Sequence, residues 1–199
     1  MQTMLYISCI ILSYLIGAVP FGLFFGKMFS KIDVRSVGSG NIGATNVLRA
    51  AGKKAAFFTL LGDCLKGALP VLAVKFMFQD DAITGLSGAA AVLGHNYPIY
   101  LAFKGGKGVA TSFGVVLAVA PQIGVVCLVT WLIVALIWHY SSLSALLAFA
   151  LYPVITFSAY TVSRPLGLLS LFVFGLIYYR HRENIKRLLA GTEPKIGQK

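Results

Sequence analysis

Val109-Ala-Thr-Ser-Phe-Gly-Val-Val-Leu-Ala-Val-Ala-Pro121-Gln-Ile-Gly-Val-Val-Cys-Leu-Val-Thr-Trp-Leu-Ile-Val-Ala-Leu-Ile-Trp138 runs from end to end without a charge. A helix needs about 20 apolar residues to cross a bilayer, so this stretch is long for one crossing and short for two. Val109–Ala120 alone is brief for a span, and only Pro121-Gln122 keeps it from fusing with the run that follows. Proline lacks the N–H that a helix interior requires. Whether the stretch crosses once or twice fixes the side on which every later loop emerges.

Charge decides it. Further apolar spans fall near 3–28, 55–78, 82–102, 143–162 and 165–179, with 109–120 and 122–138 making seven. If 109–138 crosses twice, the segments 27–54, 104–107 and 180–199 share one side. That side then holds every Lys and Arg except Lys66, inside a span, and Lys75 and Arg164, opposite. The bias of Lys and Arg toward cytoplasmic loops selects this partition and puts Asp80-Asp81 outside. The expected fold is all-α: a polytopic integral membrane bundle of seven transmembrane helices, N-terminus outside and C-terminus cytoplasmic. Residues 1–199 form one domain, with no internal repeat.

Composition agrees. Of 199 residues 58% are hydrophobic and 12% charged, and the mean hydropathy is +0.83; a water-soluble core could not hide so much apolar surface. The net charge of +11, from 17 basic and six acidic residues, lies beside apolar spans. Anionic lipid or substrate explains it better than nucleic acid, which is not an expected partner. The first span has no basic residue before it and exceeds a signal-peptide core, so it reads as a retained helix. Cys9, Cys64 and Cys127 sit in apolar runs without metal-ligand or CxxC spacing and read as small hydrophobes. No metal or other cofactor is expected.

Three polar segments interrupt the apolar chain, all on the inner side. The first is Gly38-Ser39-Gly40-Asn41-Ile-Gly43-Ala-Thr45-Asn46, running on to Arg49. Its GxGxxG pattern lacks the preceding strand that a dinucleotide fold requires. What survives is local: glycines that open backbone N–H groups, polar donors at Ser39, Asn41, Thr45 and Asn46, and an arginine able to grip an oxyanion with two bonds. The second is Lys104-Gly105-Gly106-Lys107-Gly108. It lacks the Ser or Thr that follows lysine in a Walker loop, yet glycines at a helix N-terminus flanked by lysines suit a phosphate. Nearby His95 reads as a packing residue. In the third, Arg180-His181-Arg182-Glu183-Asn184, a short amphipathic surface helix puts His181 and Asn184 on one face. Ser142 returns to the same side, as a site hydroxyl or a helix cap. Asp63 and Lys66, three apart within a span, read as an ion pair facing the bundle.

Taken together, these residues resemble the bacterial acyl-phosphate:glycerol-3-phosphate acyltransferases. The first segment with Arg49, Gly62-Asp63-x-x-Lys66-Gly67, Gly94-His-Asn-Tyr-Pro98 with Phe103-Lys-Gly-Gly-Lys-Gly-Val-Ala-Thr111, and His181-x-x-Asn184-Ile with Arg187 and Glu193 stand in the family's order. The resemblance implies transfer of a fatty acyl group from acyl phosphate to the 1-hydroxyl of glycerol 3-phosphate. The products are lysophosphatidic acid and inorganic phosphate, in the first step of phospholipid synthesis at the cytoplasmic face of the bacterial inner membrane. It implies His181, Asn184, Arg49 and Lys104 as catalytic. Substrate would be bound by Gly38, Ser39, Gly40, Asn41, Gly43, Thr45, Asn46, Gly105, Gly106, Lys107, Gly108, Ser142 and Glu193. The His-x4-Asp pair of unrelated glycerolipid acyltransferases is missing: Tyr100, Ser144 and Lys186 stand five residues after the three histidines. The proton acceptor stays open between His181 and the acyl phosphate's own oxygens. A small anion transporter is the competing class, disfavoured because the polar groups gather on one face.

Overall fold

A computed structural model describes residues 1–158 and 162–198, and all regular structure among them is helical. The helices are α1 (Gln2–Gly17), α2 (Phe21–Ser30), α3 (Ala44–Phe78), α4 (Asp81–Asn96), α5 (Val109–Val119), α6 (Pro121–Trp138), α7 (Ser141–Ser158), α8 (Arg164–Arg180) and α9 (Arg182–Leu189). Ala120 alone lies between α5 and α6, and Pro121 takes the first position of α6. The end of the expected sixth span, residues 159–161, and the terminal Lys199 lie outside the described residues.

Three elements differ from the sequence expectation. The first span is not one helix: it breaks at Ala18–Pro20, because Pro20 has no N–H to continue the ladder. α3 starts at Ala44, so half of the first polar segment is the opening turns of a 35-residue helix. That helix kinks at Gly52, with φ +85° and ψ 178°. The third span ends at Asn96 rather than near residue 102, giving way to a 3₁₀ turn at Ile99–Leu101.

Small residues let the helices close on one another. Side chains at Gly67 and Gly114 would run into backbone at Thr111 and Cys64, drawing α3 onto α5. Gly17 and Gly94 do the same for α1 and α4. Bundles in lipid pack by such approach, since burial of apolar surface gives little drive there. Val92, Val115, Val116, Phe149, Tyr152 and Val173 fill the centre between α4, α5, α7 and α8. The outside is equally apolar: Leu12, Phe76, Leu86, Leu136, Val154, Phe157 and Leu168 are all exposed. A surface of this kind belongs in lipid. The segment Gln2–Ser30, α3, α6 and α7 are long and apolar enough to cross a membrane, and the bundle is membrane-embedded.

Candidate active site

Where the three polar segments converge, a cavity of about 800 Å³ opens, walled by α3, α5, α6 and the chain after α9. Two helix N-termini open onto it. Gly43 and Gly108 precede α3 and α5, neither helix start is capped by a side chain, and Ala44, Thr45, Val109 and Ala110 line the wall. Uncapped first-turn N–H groups and the positive dipole end favour an anion. Away from these helix starts, the lining turns apolar with Leu60, Phe113, Leu128, Trp131 and Leu132. One end therefore suits phosphate and the other an alkyl chain.

The first loop owes its shape to Asn46. Its Oδ1 accepts from Ser39 N at 2.9 Å, and its Nδ2 donates to the carbonyls of Val34 at 2.8 Å, Asn41 at 2.9 Å and Val37 at 3.1 Å. Gly38, at φ +61°, lies where a Cβ would stand 2.5 Å from that Oδ1. Asn41 Oδ1 accepts from Gly43 N at 3.0 Å. Gly38, Ser39, Asn41, Gly43, Thr45 and Arg49 line the cavity, whereas Gly40 does not. Asn46 is buried and its amide is spent on the loop. It shapes the site rather than offering a free group to a ligand.

In the second loop the two lysines part company. Ala102 and Phe103 both adopt left-handed backbone, with φ +49° and +62°, and the turn leaves Lys104 exposed and outside the cavity. Lys107 lines the wall and donates to Asn184 Oδ1 at 2.6 Å. Gly105 and Gly106 are not on the wall either. Their carbonyls accept from Arg180 Nη2 at 2.9 Å and Nε at 3.1 Å, and Gly106 N donates to His95 O at 3.1 Å. With that N–H committed, the glycines close the loop, while Gly108 begins α5 at the wall.

The C-terminal segment folds back across the mouth. Glu193 Oε1 accepts from Ser142 Oγ and Asn184 Nδ2, each at 2.6 Å, and Oε2 accepts from Arg187 Nε at 2.8 Å. Arg49 Nη2 donates to the carbonyls of Lys195 at 3.1 Å and Pro194 at 3.3 Å, and Ile196 N to His139 O at 2.7 Å. A carboxylate engaged this way is an organiser. Its charge would oppose a phosphate, so Glu193 shapes the wall it lines rather than binding the anion. Burial pushes the Glu193 carboxyl up, but the bonds from Ser142, Asn184 and Arg187 outweigh it and hold the group ionised. Ser142 is Glu193's donor, and its neighbour Ser141 stands 3.0 Å from Thr45 Oγ1.

Two further groups feel the cluster. Burial lowers Lys107 to about 8, with Arg187, Arg180 and Arg49 adding to the effect and Glu193 opposing it. Burial and then Lys107 lower His181 to about 4, so its imidazole is neutral at neutral pH. His181 Nδ1 lies 2.8 Å from Ile177 O, which puts the proton on Nδ1 and leaves Nε2 as an acceptor.

The glycerol-3-phosphate acyltransferase family model matches residues 7–191. The chain belongs to that family. A glycerol-3-phosphate acyltransferase of Dinoroseobacter shibae is 50% identical over 94% of this chain and 91% of its own length. One from Dechloromonas aromatica is 46% identical over 96% of both. Among solved structures, PlsY (YgiH), an integral membrane glycerol 3-phosphate acyltransferase in its glycerol 3-phosphate form, superposes with a TM-score of 0.92 at 41% identity, covering 96% of each chain. Its lysophosphatidic acid form gives 0.90 at 40% identity, covering 96% of this chain and 95% of that one.

Sequence reasoning missed several wall residues of this family member. Asp63 and His95 line the cavity, as do Lys53, Ser141 and Arg187. Arg187 was named in the third motif but not placed in the site, although it lies three residues after Asn184 and so shares its face. Asp63 carried a signal too: a charge inside a span is retained for a reason. His95 stood in the Gly94–Pro98 motif but read as a packing residue, because its place at the wall depends on how the second loop folds back over α4.

Proposed function

We propose that this chain transfers a fatty acyl group from acyl phosphate to the 1-hydroxyl of sn-glycerol 3-phosphate, releasing inorganic phosphate and lysophosphatidic acid. The observation that carries this reading is a single cavity with two anion-seeking helix ends and flanking cations at one side and an apolar limb at the other. Both substrates carry phosphate and only one carries a chain. Phe57 and Leu60 on α3 and Leu132 on α6 line the cavity and are also exposed on the lipid side, so the acyl tail enters from the bilayer. Seven crossings, with the N-terminus outside and this mouth at the cytoplasmic face of the bacterial inner membrane, supply soluble glycerol 3-phosphate from the cell.

Lys107, Arg49 and the starts of α3 and α5 neutralise phosphate, with Arg49 releasing its tail carbonyls to do so. Thr45, Asn41, His181 and Asn184 orient the groups. The glycerol oxygen bonds to the acyl carbon, the bond from that carbon to the bridging phosphate oxygen breaks, and the hydroxyl proton leaves with phosphate. The departing phosphate is the better base, because its oxygens gain a negative charge as the bond to the acyl carbon breaks, whereas His181, lowered to about 4, is a weak one. Positioning and charge stabilisation carry the acceleration. Donor choice tests the reading. Purified protein should form lysophosphatidate from acyl phosphate and not from acyl-coenzyme A; turnover with the thioester alone would refute it.

A further inference from the structure

The proposed chemistry makes no use of the most expensive feature of the bundle. Asp63, Lys66 and His95 are buried between α3 and α4, each 3% exposed or less. Ionised groups in lipid-spanning helices are retained when paired and put to use. Lys66 Nζ lies 2.8 Å from Asp63 Oδ1 and donates at 2.7 Å to Val19 O, the carbonyl at the break between α1 and α2. A cation is at home there, at the negative end of the α1 dipole. His95 Nδ1 is 3.6 Å from the same Asp63 oxygen.

From His95 the contacts lead to the phosphate loop. Its carbonyl accepts from Gly106 N, and side chains at Gly105 or Gly106 would strike its carbonyl oxygen or its Nε2. The next residue, Asn96, is fully buried, and its Oδ1 would lie 2.6 Å from a Cβ at Gly108. Tyr97 continues the seat, its ring centroid 5.1 Å from the Arg180 guanidinium that bonds the two glycine carbonyls. Lys107 stands between these fixed glycines. Its direction, toward Asn184, is therefore set from α3 and α4.

We propose that Asp63, Lys66 and His95 are positioning residues for this site: the buried pair holds His95 as the seat on which the Gly105–Gly106 loop closes, and so keeps Lys107 in the cavity. The claim of a catalytic benefit rests on the acyl-transfer reading, whereas the claim about Lys107 does not. A staple that only held α3 to α4 would affect folding and leave Lys107 as it was.

Competitive acetic anhydride labelling of the full-length protein in detergent, read by peptide mass spectrometry across pH, reports the titration of Lys107. Glu193, Arg187, Arg180, Arg49 and His181 face it and are unchanged in the variants. In wild type the midpoint should fall near 8. In His95→Ala it should rise by roughly one unit or more toward the ordinary lysine value, as Lys107 leaves its buried seat. KM for glycerol 3-phosphate should rise about tenfold or more, with kcat changed less. Asp63→Asn/Lys66→Met removes both charges without stranding one, and should shift the midpoint in the same direction. An unmoved midpoint and KM in a folded variant would overturn the proposal, as would loss of fold in both variants. Labelling needs no turnover, so an inactive wild type would count against acyl transfer alone.

Discussion

At the residue scale, Lys107 lines the cavity and Lys104 lies exposed outside it, although the two are alike in sequence, and the proposed mechanism rests on Lys107. Lys107→Met should lower kcat/KM by roughly a hundredfold, the size of a lost charge-stabilising donor, while Lys104→Met should stay near wild type. Steady-state kinetics on the two purified variants separates them. The pH profile carries the same identity. Lys107 must be protonated to face phosphate, and burial depresses it to about 8, so activity should fall as pH rises through that value. The pair also marks where sequence stops being legible. Gly-Gly flanked by lysines announces an anion loop, but which lysine turns inward depends on left-handed backbone at Ala102 and Phe103. Neither residue type signals that conformation. Likewise, Asn46 reads as a donor until its four loop bonds are seen.

At the element scale, α3 gives the cavity more of its wall than any other helix, with Thr45 and Arg49 before the kink and Leu60 and Asp63 beyond it. The kink is legible only afterwards: Gly52 at φ +85° and ψ 178° occupies a region open essentially to glycine. With nothing within 4 Å of a Cβ there, Gly52→Ala isolates backbone strain from crowding. It should destabilise by on the order of 1–3 kcal/mol and reduce activity, as thermal unfolding and turnover would record. The reverse holds for α5 and α6. One proline in a chargeless run is enough to separate them, because proline ends a helix without tertiary help. The opening turns of α3 escaped that reasoning since Gly, Asn and Thr favour turns locally, and it is packing onto α2 and the turn at Val34–Ser36, through Val47, Leu23 and Val34, that holds them helical.

At the scale of the molecule, the bundle brings two uncapped helix starts with their flanking cations and a lipid-facing apolar slot into one cavity. The class and the three segments were legible from composition and order, whereas the cavity was not, being made of spaces between helices. Its apolar limb should set the chain length accepted. Leu60→Trp would fill the lipid-side entrance between α3 and α6, and competition among acyl phosphates of different length should then favour shorter chains. An unchanged preference would place the tail elsewhere. The central claim is tested most directly by giving wild-type protein in lipid nanodiscs only acyl phosphate and glycerol 3-phosphate, and measuring both products. The account predicts lysophosphatidate and inorganic phosphate in equal amounts; phosphate release without lysophosphatidate, or neither product, would contradict it.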